Sequence, residues 1–206
     1  MTKPIDETEV ERHRSKMAKR KAVQDAEVAG KTIEKGLLIV HTGAGKGKTT
    51  AALGLAFRAL GQGMKVGVVQ FIKGAIPTGE AALAARLAGL GLEMHTMGDG
   101  FTWNTQDREQ DTASARRAWD KARALLRDPS FDLVILDELN VVIKHGYLPL
   151  DEVLDELRGK REMLHVVVTG RNARDELLDL ADLVTEMKLV KHPYRSGVKA
   201  QKGVEF

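Results

Sequence analysis

The chain has 206 residues, 43% of them apolar and 30% charged, enough for one domain with its own core and too balanced for a disordered chain. Basic residues outnumber acidic ones by only three, which does not argue for wrapping nucleic acid, while a pI near 9 permits a polyanionic ligand, a nucleotide triphosphate as well as DNA. With no cysteine, a disulfide framework and a thiolate metal site are both excluded.

Residues 1–31 are dense in charge (Glu9, Glu11, Arg12, Arg14, Lys16, Lys19, Arg20, Lys21), with scattered apolar positions such as Val10, Met17 and Val23. They read as a solvent-facing helical arm or as a partly disordered leader, set apart from a single domain over 32–206. The first residues lack the apolar core of a secretory signal, and no apolar run is long enough to cross a bilayer. A cytoplasmic protein without membrane contact is expected.

From residue 37 strand and helix patterns alternate. An apolar run at 37–41 leads through a Gly-rich turn into a helix at 48–60, where Leu53, Phe57 and Leu60 recur at helical spacing. KVGVVQF (65–71) predicts a strand, 81–90 an Ala-rich helix, 92–96 a weaker strand and 105–126 a long helix stopped by Asp128-Pro129. Residues 131–136 predict a strand that is apolar without alternation, as one covered on both faces should be. A helix at 150–157, a strand at 164–169, a helix at 173–180 and a strand at 183–190 complete the pattern. Strands alternating with helices give an α/β fold, a mostly parallel sheet with helices on both faces, and the Gly-rich turn GAGKGKTT (43–50) between the first strand and its helix makes it one of the P-loop (RecA-like) kind.

The turn supplies the first chemistry. Thr42, Gly43, Ala44, Gly45, Lys46, Gly47, Lys48, Thr49 and Thr50 stand between a strand and a helix, the context of a phosphate-binding loop. Its glycines let backbone N–H groups converge, and the helix N-terminus adds a positive dipole end. Lys48 brings a compact cation for phosphate oxygens, and the Thr49 hydroxyl can ligate Mg²⁺. The usual pattern opens on Gly, four residues before Gly-Lys-Ser/Thr; here Thr42 takes that place, a mild departure at a strand end. The run Leu133–Asp137, followed by Glu138, places two acids at the C-terminal edge of another strand, where such an acid holds Mg²⁺ directly or through water. Arg171 follows the strand at 164–169, so it lies at that same edge, either on a phosphate or substrate or in a surface ion pair. Phe101 and Trp103 sit in a polar, glycine-bearing stretch, either meeting a ligand or anchoring a loop on the core.

A P-loop alone does not choose a reaction. Taken in order, however, TGAGKGKTTAA (42–52), VVQFIKG (68–74), GFTWNTQ (100–106), LDEL (136–139), TGR (169–171), LDLAD (178–182) and GVKAQ (197–201) resemble the ATP:corrinoid adenosyltransferase family of vitamin B12 synthesis and salvage. The resemblance covers nearly the whole chain; Ala44 departs from it, standing where that family commonly has Asn. It implies transfer of the 5′-deoxyadenosyl group of ATP to the Co(I) of a reduced corrinoid, with release of tripolyphosphate. Lys48, the loop amides and Mg²⁺ (or Mn²⁺) on Thr49 with Asp137 and Glu138 then stabilise the leaving charge. It further implies that Phe101 and Trp103 displace the lower axial ligand of cobalt, easing reduction by an electron-donating flavoprotein. The N-terminal arm then covers the site against water, and the assembly is a homodimer.

Two other readings compete. A P-loop ATPase or kinase would transfer the γ-phosphoryl group and yield ADP or phosphate. A RecA-like nucleic-acid binding module would need stacking aromatics among its basic residues, and the cluster from Arg12 to Lys21 has none, so no nucleic-acid partner is expected.

Overall fold

The computed structural model describes residues 7–72, 78–97 and 107–204. Its chain divides into two compact units, Met1–Glu34 and Lys35–Phe206. The first holds one helix, α1 (Glu7–Ala29), exposed along its described length and carrying a Lys21–Asp25 ion pair one turn apart at 2.6 Å. The second is built on six strands: β1 (Leu38–Thr42), β2 (Val66–Gln70), β3 (Leu92–Thr96), β4 (Leu133–Asp137), β5 (His165–Thr169) and β6 (Leu183–Glu186). All are parallel, in the order β3-β2-β4-β5-β1-β6. Parallel neighbours need crossovers, and helices supply them: α2 (Lys48–Gly61), α3 (Gly79–Leu87), α4 (Arg108–Arg127), α5 (Leu139–Lys144), α6 (Leu150–Arg158) and α7 (Asp175–Leu180).

β1, β2 and β4 are buried at every position because both faces of the sheet are covered. Alternate residues face opposite ways. Leu38, Val40, Val69, Val134, Leu136, Val166 and Val168 pack with the helices from α4 to α7, whereas Ile39, Val66, Val68, Leu133, Ile135 and Val167 pack with α2 and α3. On the first face Trp119 of α4 is fully buried, and its indole N–H donates to Glu152 of α6 at 2.9 Å. Arg116 joins the same carboxylate at 2.5 Å, and Arg127 reaches Glu156 at 2.6 Å, so α4 and α6 are laced together at their rims.

Most elements lie where the residue pattern puts them, with three differences. The inner face of α2 is Ala52, Ala56 and Ala59, while Phe57 is 53% exposed. Small side chains let α2 approach the sheet closely; Leu53, Phe57 and Leu60 instead line a groove shared with Leu83 and Leu87 of α3. The last strand ends at Glu186 rather than 190, because the backbone at Met187 turns to the phosphate loop: its N–H donates to Thr42 O at 2.9 Å and its carbonyl accepts from Gly45 N at 2.6 Å. α5 has no counterpart in the residue pattern. It begins directly after Glu138, which adopts the left-handed conformation with φ 64°.

Truncating the buried indole tests the larger core. Trp119→Ala is expected to lower unfolding free energy by about 4 kcal/mol in urea titration, within the range for emptying a large aromatic site. A loss under about 1 kcal/mol would show that α4 is not packed as described.

Candidate nucleotide and metal site

β1 delivers the chain into the loop at Thr42, whose hydroxyl accepts the Ala173 N–H at 3.2 Å from the segment after β5. Gly43 has φ 95°, and a Cβ there would stand 2.5 Å from Met187 O, so both its backbone angle and the backbone just beyond β6 demand glycine. Ala44 and Lys46 are exposed, Gly45 is pinned to Met187, and Gly47 (φ 106°) opens α2. Gly47 has no side chain to cap α2 and the first turn carries no acid, so its N–H groups and dipole end favour an anion. Thr50 is exposed on that first turn.

Lys48 is only 6% exposed and donates to the carbonyls of Gly43 and Gly45 at 2.9 and 2.6 Å. Burial lowers its pKa from the ordinary lysine value; Glu138 and Asp137 act the other way, and Arg171 and Lys46 add to the lowering. The five charges thus share one field. Arg171 itself is exposed, just beyond β5.

The acids are held by a different route. Asp137, 1% exposed at the end of β4, accepts from Thr49 Oγ1 at 2.8 Å and Thr169 Oγ1 at 2.7 Å on one carboxylate oxygen, and from Gln70 Nε2 at 3.0 Å on the other. Thr169 also accepts the Glu138 N–H at 2.9 Å, and Asn140 donates its side-chain amide to Gly170 O at 3.1 Å. A Cβ at Gly170 (φ 127°) would come within 3.2 Å of Glu138 Oε2, so the glycine gives that carboxylate room. Lys48, Thr49, Asp137 and Glu138 therefore lie together at the C-terminal edge of the sheet, where ligands bind in open α/β folds. Gln70, Thr169 and Asn140 join them without having been assigned a role from sequence; Gln70 and Thr169 each offered the signal of a polar residue closing an apolar strand, whereas Asn140, inside α5, offered none. Phe101 and Trp103 lie outside the described residues.

Comparison with known proteins decides what the site serves. Residues 34–206 match the family model for the ATP:corrinoid adenosyltransferases BtuR/CobO/CobP, and residues 5–28 match the model for the cob(I)alamin adenosyltransferase N terminal region. The chain belongs to the ATP:corrinoid adenosyltransferases. It is 55% identical to a corrinoid adenosyltransferase of Pseudomonas aeruginosa, over 95% of this chain and 96% of that one. It is 48% identical to the corrinoid adenosyltransferase of Escherichia coli K12, over 95% and 98%. This adenosyltransferase accordingly carries out ATP-dependent transfer of an adenosyl group to a corrinoid in cobalamin synthesis, the first of the three readings of its loop. LDLAD, one of the motifs that carried the resemblance, also holds the sheet together. Asp182 accepts the Leu38 N–H at 2.8 Å and pairs with Lys35, tying the start of β6 to β1.

One residue of the adenosyltransferase beside the loop couples folding to pH. His41 is 6% exposed, its two ring nitrogens lack a hydrogen-bond partner among the described residues, and burial lowers its pKa from 6.5. Below pH 6.5 the unfolded chain takes a proton that the folded chain resists, so stability rises with pH through that window and falls on acidification. The His41→Phe variant is expected to lose less unfolding free energy than the parent between pH 7 and 5.5 in urea titration; equal losses would contradict this coupling.

Proposed function

We propose that the loop holds the triphosphate of a metal–ATP complex so that the ribose 5′ carbon faces the cobalt of a reduced corrinoid. The Co(I) electron pair forms a bond to the 5′ carbon, the bond from that carbon to oxygen breaks, and its electrons leave on the triphosphate, which departs as tripolyphosphate. The observation that carries the leaving-group half of this reading is the gathering of Lys48, Thr49, Asp137 and Glu138 at the positive end of α2, and membership of the family supports the corrinoid as acceptor. Such a cluster stabilises charge building on a departing polyphosphate, and because cobalt is the nucleophile no protein base is required.

Lys48 serves as the cation and the first-turn amides of α2 as donors, with the backbone of residues 42–50 shaping the cradle and Arg171 on a phosphate oxygen. Mg²⁺ or Mn²⁺ would be held by Thr49 and Glu138, with Asp137 behind the threonine hydroxyl, and supplies further positive charge when bound. The donor set fits. Among the described residues no three His, Asp or Glu gather as in a protein-only metal cage, whereas Mg²⁺ in nucleotide sites keeps waters and phosphate oxygens as its main ligands. On the strength of the resemblance, Phe101 and Trp103 are assigned to displacing the lower axial ligand of cobalt, a reduced flavoprotein to electron supply, and a homodimer to the assembly.

Anaerobic incubation with ATP, Mg²⁺ and a chemically reduced corrinoid is expected to give a light-sensitive alkylcobalt spectrum and one tripolyphosphate per turnover. ADP or inorganic phosphate in its place would overturn the reading. Lys48→Ala is expected to cut turnover by about 100-fold or more, the scale for removing one preorganised charge-stabilising group. Trp103→Ala should spare reaction from pre-formed Co(I) and impair reaction starting from Co(II); equal impairment of both would remove the assigned role.

A further inference from the structure

Gln70 closes β2 directly beside Asp137, its partner in the ladder with β4, and directly beside Thr96, its partner in the ladder with β3. It is 1% exposed, and a buried amide persists there only when both its ends are hydrogen-bonded. A carboxylate accepts and cannot donate, so the NH₂ end must face Asp137, as it does at 3.0 Å. That leaves Gln70 Oε1 for the hydroxyl of exposed Thr96, also at 3.0 Å. Two threonine hydroxyls meet one oxygen of Asp137, and Gln70 meets the other. The three bonds together fix the rotation of the carboxylate, which hydroxyl contacts on a single oxygen would leave less constrained.

We propose that Gln70, oriented by Thr96, is a positioning residue for the metal–nucleotide site: it locks Asp137 so that one carboxylate oxygen always takes the Thr49 proton and leaves the Thr49 lone pairs to the cation. The inference rests on the reading above that Thr49 serves a divalent cation bound with ATP. Groups that orient metal ligands shift metal affinity by about 10–100-fold when removed. Gln70 and Thr96 act on one carboxylate, so their effects should not add.

The test is Mn²⁺ uptake in the presence of ATP, read from the fall of the free-ion electron paramagnetic resonance signal, beside calorimetric ATP binding in chelator. Gln70→Met is expected to weaken Mn²⁺ uptake about tenfold and leave metal-free ATP binding unchanged. Thr96→Val should weaken uptake by a smaller factor, and the double variant should be no weaker than Gln70→Met alone. Unchanged uptake in Gln70→Met, additive losses, or an equal loss of metal-free ATP binding would overturn the proposal. If Gln70→Met fails to fold, Thr96→Val carries the test on an exposed position, and unchanged uptake there overturns it. Thr49→Ala separates the two levels: should it bind Mn²⁺ with ATP as well as the parent, the metal reading itself fails and this inference with it.

Discussion

The site depends on one buried carboxylate. Asp137 ties three elements together by its side chain: α2 through Thr49, β5 through Thr169 and β2 through Gln70, adding to the ladders that already pair β4 with β2 and β5. A carboxylate 1% exposed is costly to desolvate, and the cost is offset only if its oxygens are met by donors. The arrangement is therefore steep. Removing a donor weakens the grip locally, whereas removing the acid would leave two threonines and an amide competing for partners.

Sheet order explains why the acid is held in this way. β5 lies between β1 and β4, so the loop after β1 and the acids after β4 are not neighbours. Thr169 at the end of β5 fills the gap, donating to Asp137 and accepting from the Glu138 N–H. That second bond accompanies the left-handed backbone of Glu138, an uncommon conformation for a residue other than glycine, which surrounding structure must hold in place. On the far side of β1, edge strand β6 leaves its ladder to brace the loop through Met187. The grip is thus supported from both flanks, by side chains toward β4 and by backbone toward β6.

The central strands were legible because parallel strands covered on both faces are apolar almost throughout, and the loop was legible because its glycines and lysine stand between a strand and a helix. Less was readable where a residue acts through geometry instead of type. Gln70 and Thr169 look like ordinary polar strand ends until the register places them beside Asp137. The six residues of α5 are too few to show a helical period, and their start at a left-handed glutamate leaves no capping signal in the sequence. Met187 could not have been found at all, since its contribution is main-chain and any residue supplies that. In α2 the larger apolar residues stand out in the sequence, although alanines face the sheet, because close packing of helix on strand selects for small volume.

A cradle of this kind lowers the energy of charge on a polyphosphate whichever bond to it is breaking. Cleavage at the γ-phosphorus and cleavage at the ribose 5′ carbon both leave negative charge on bridging oxygens, and Lys48, the amides of α2 and a cation answer both alike. What selects between them is the position of the nucleophile, which lies outside the cradle and, in a corrinoid adenosyltransferase, belongs to the second substrate. The phosphate grip is therefore the most readable part of such a chain and the least diagnostic of its reaction. The diagnostic information sits in the motifs away from the loop, whose order along nearly the whole sequence carried the family and which a P-loop of identical geometry in another protein would lack.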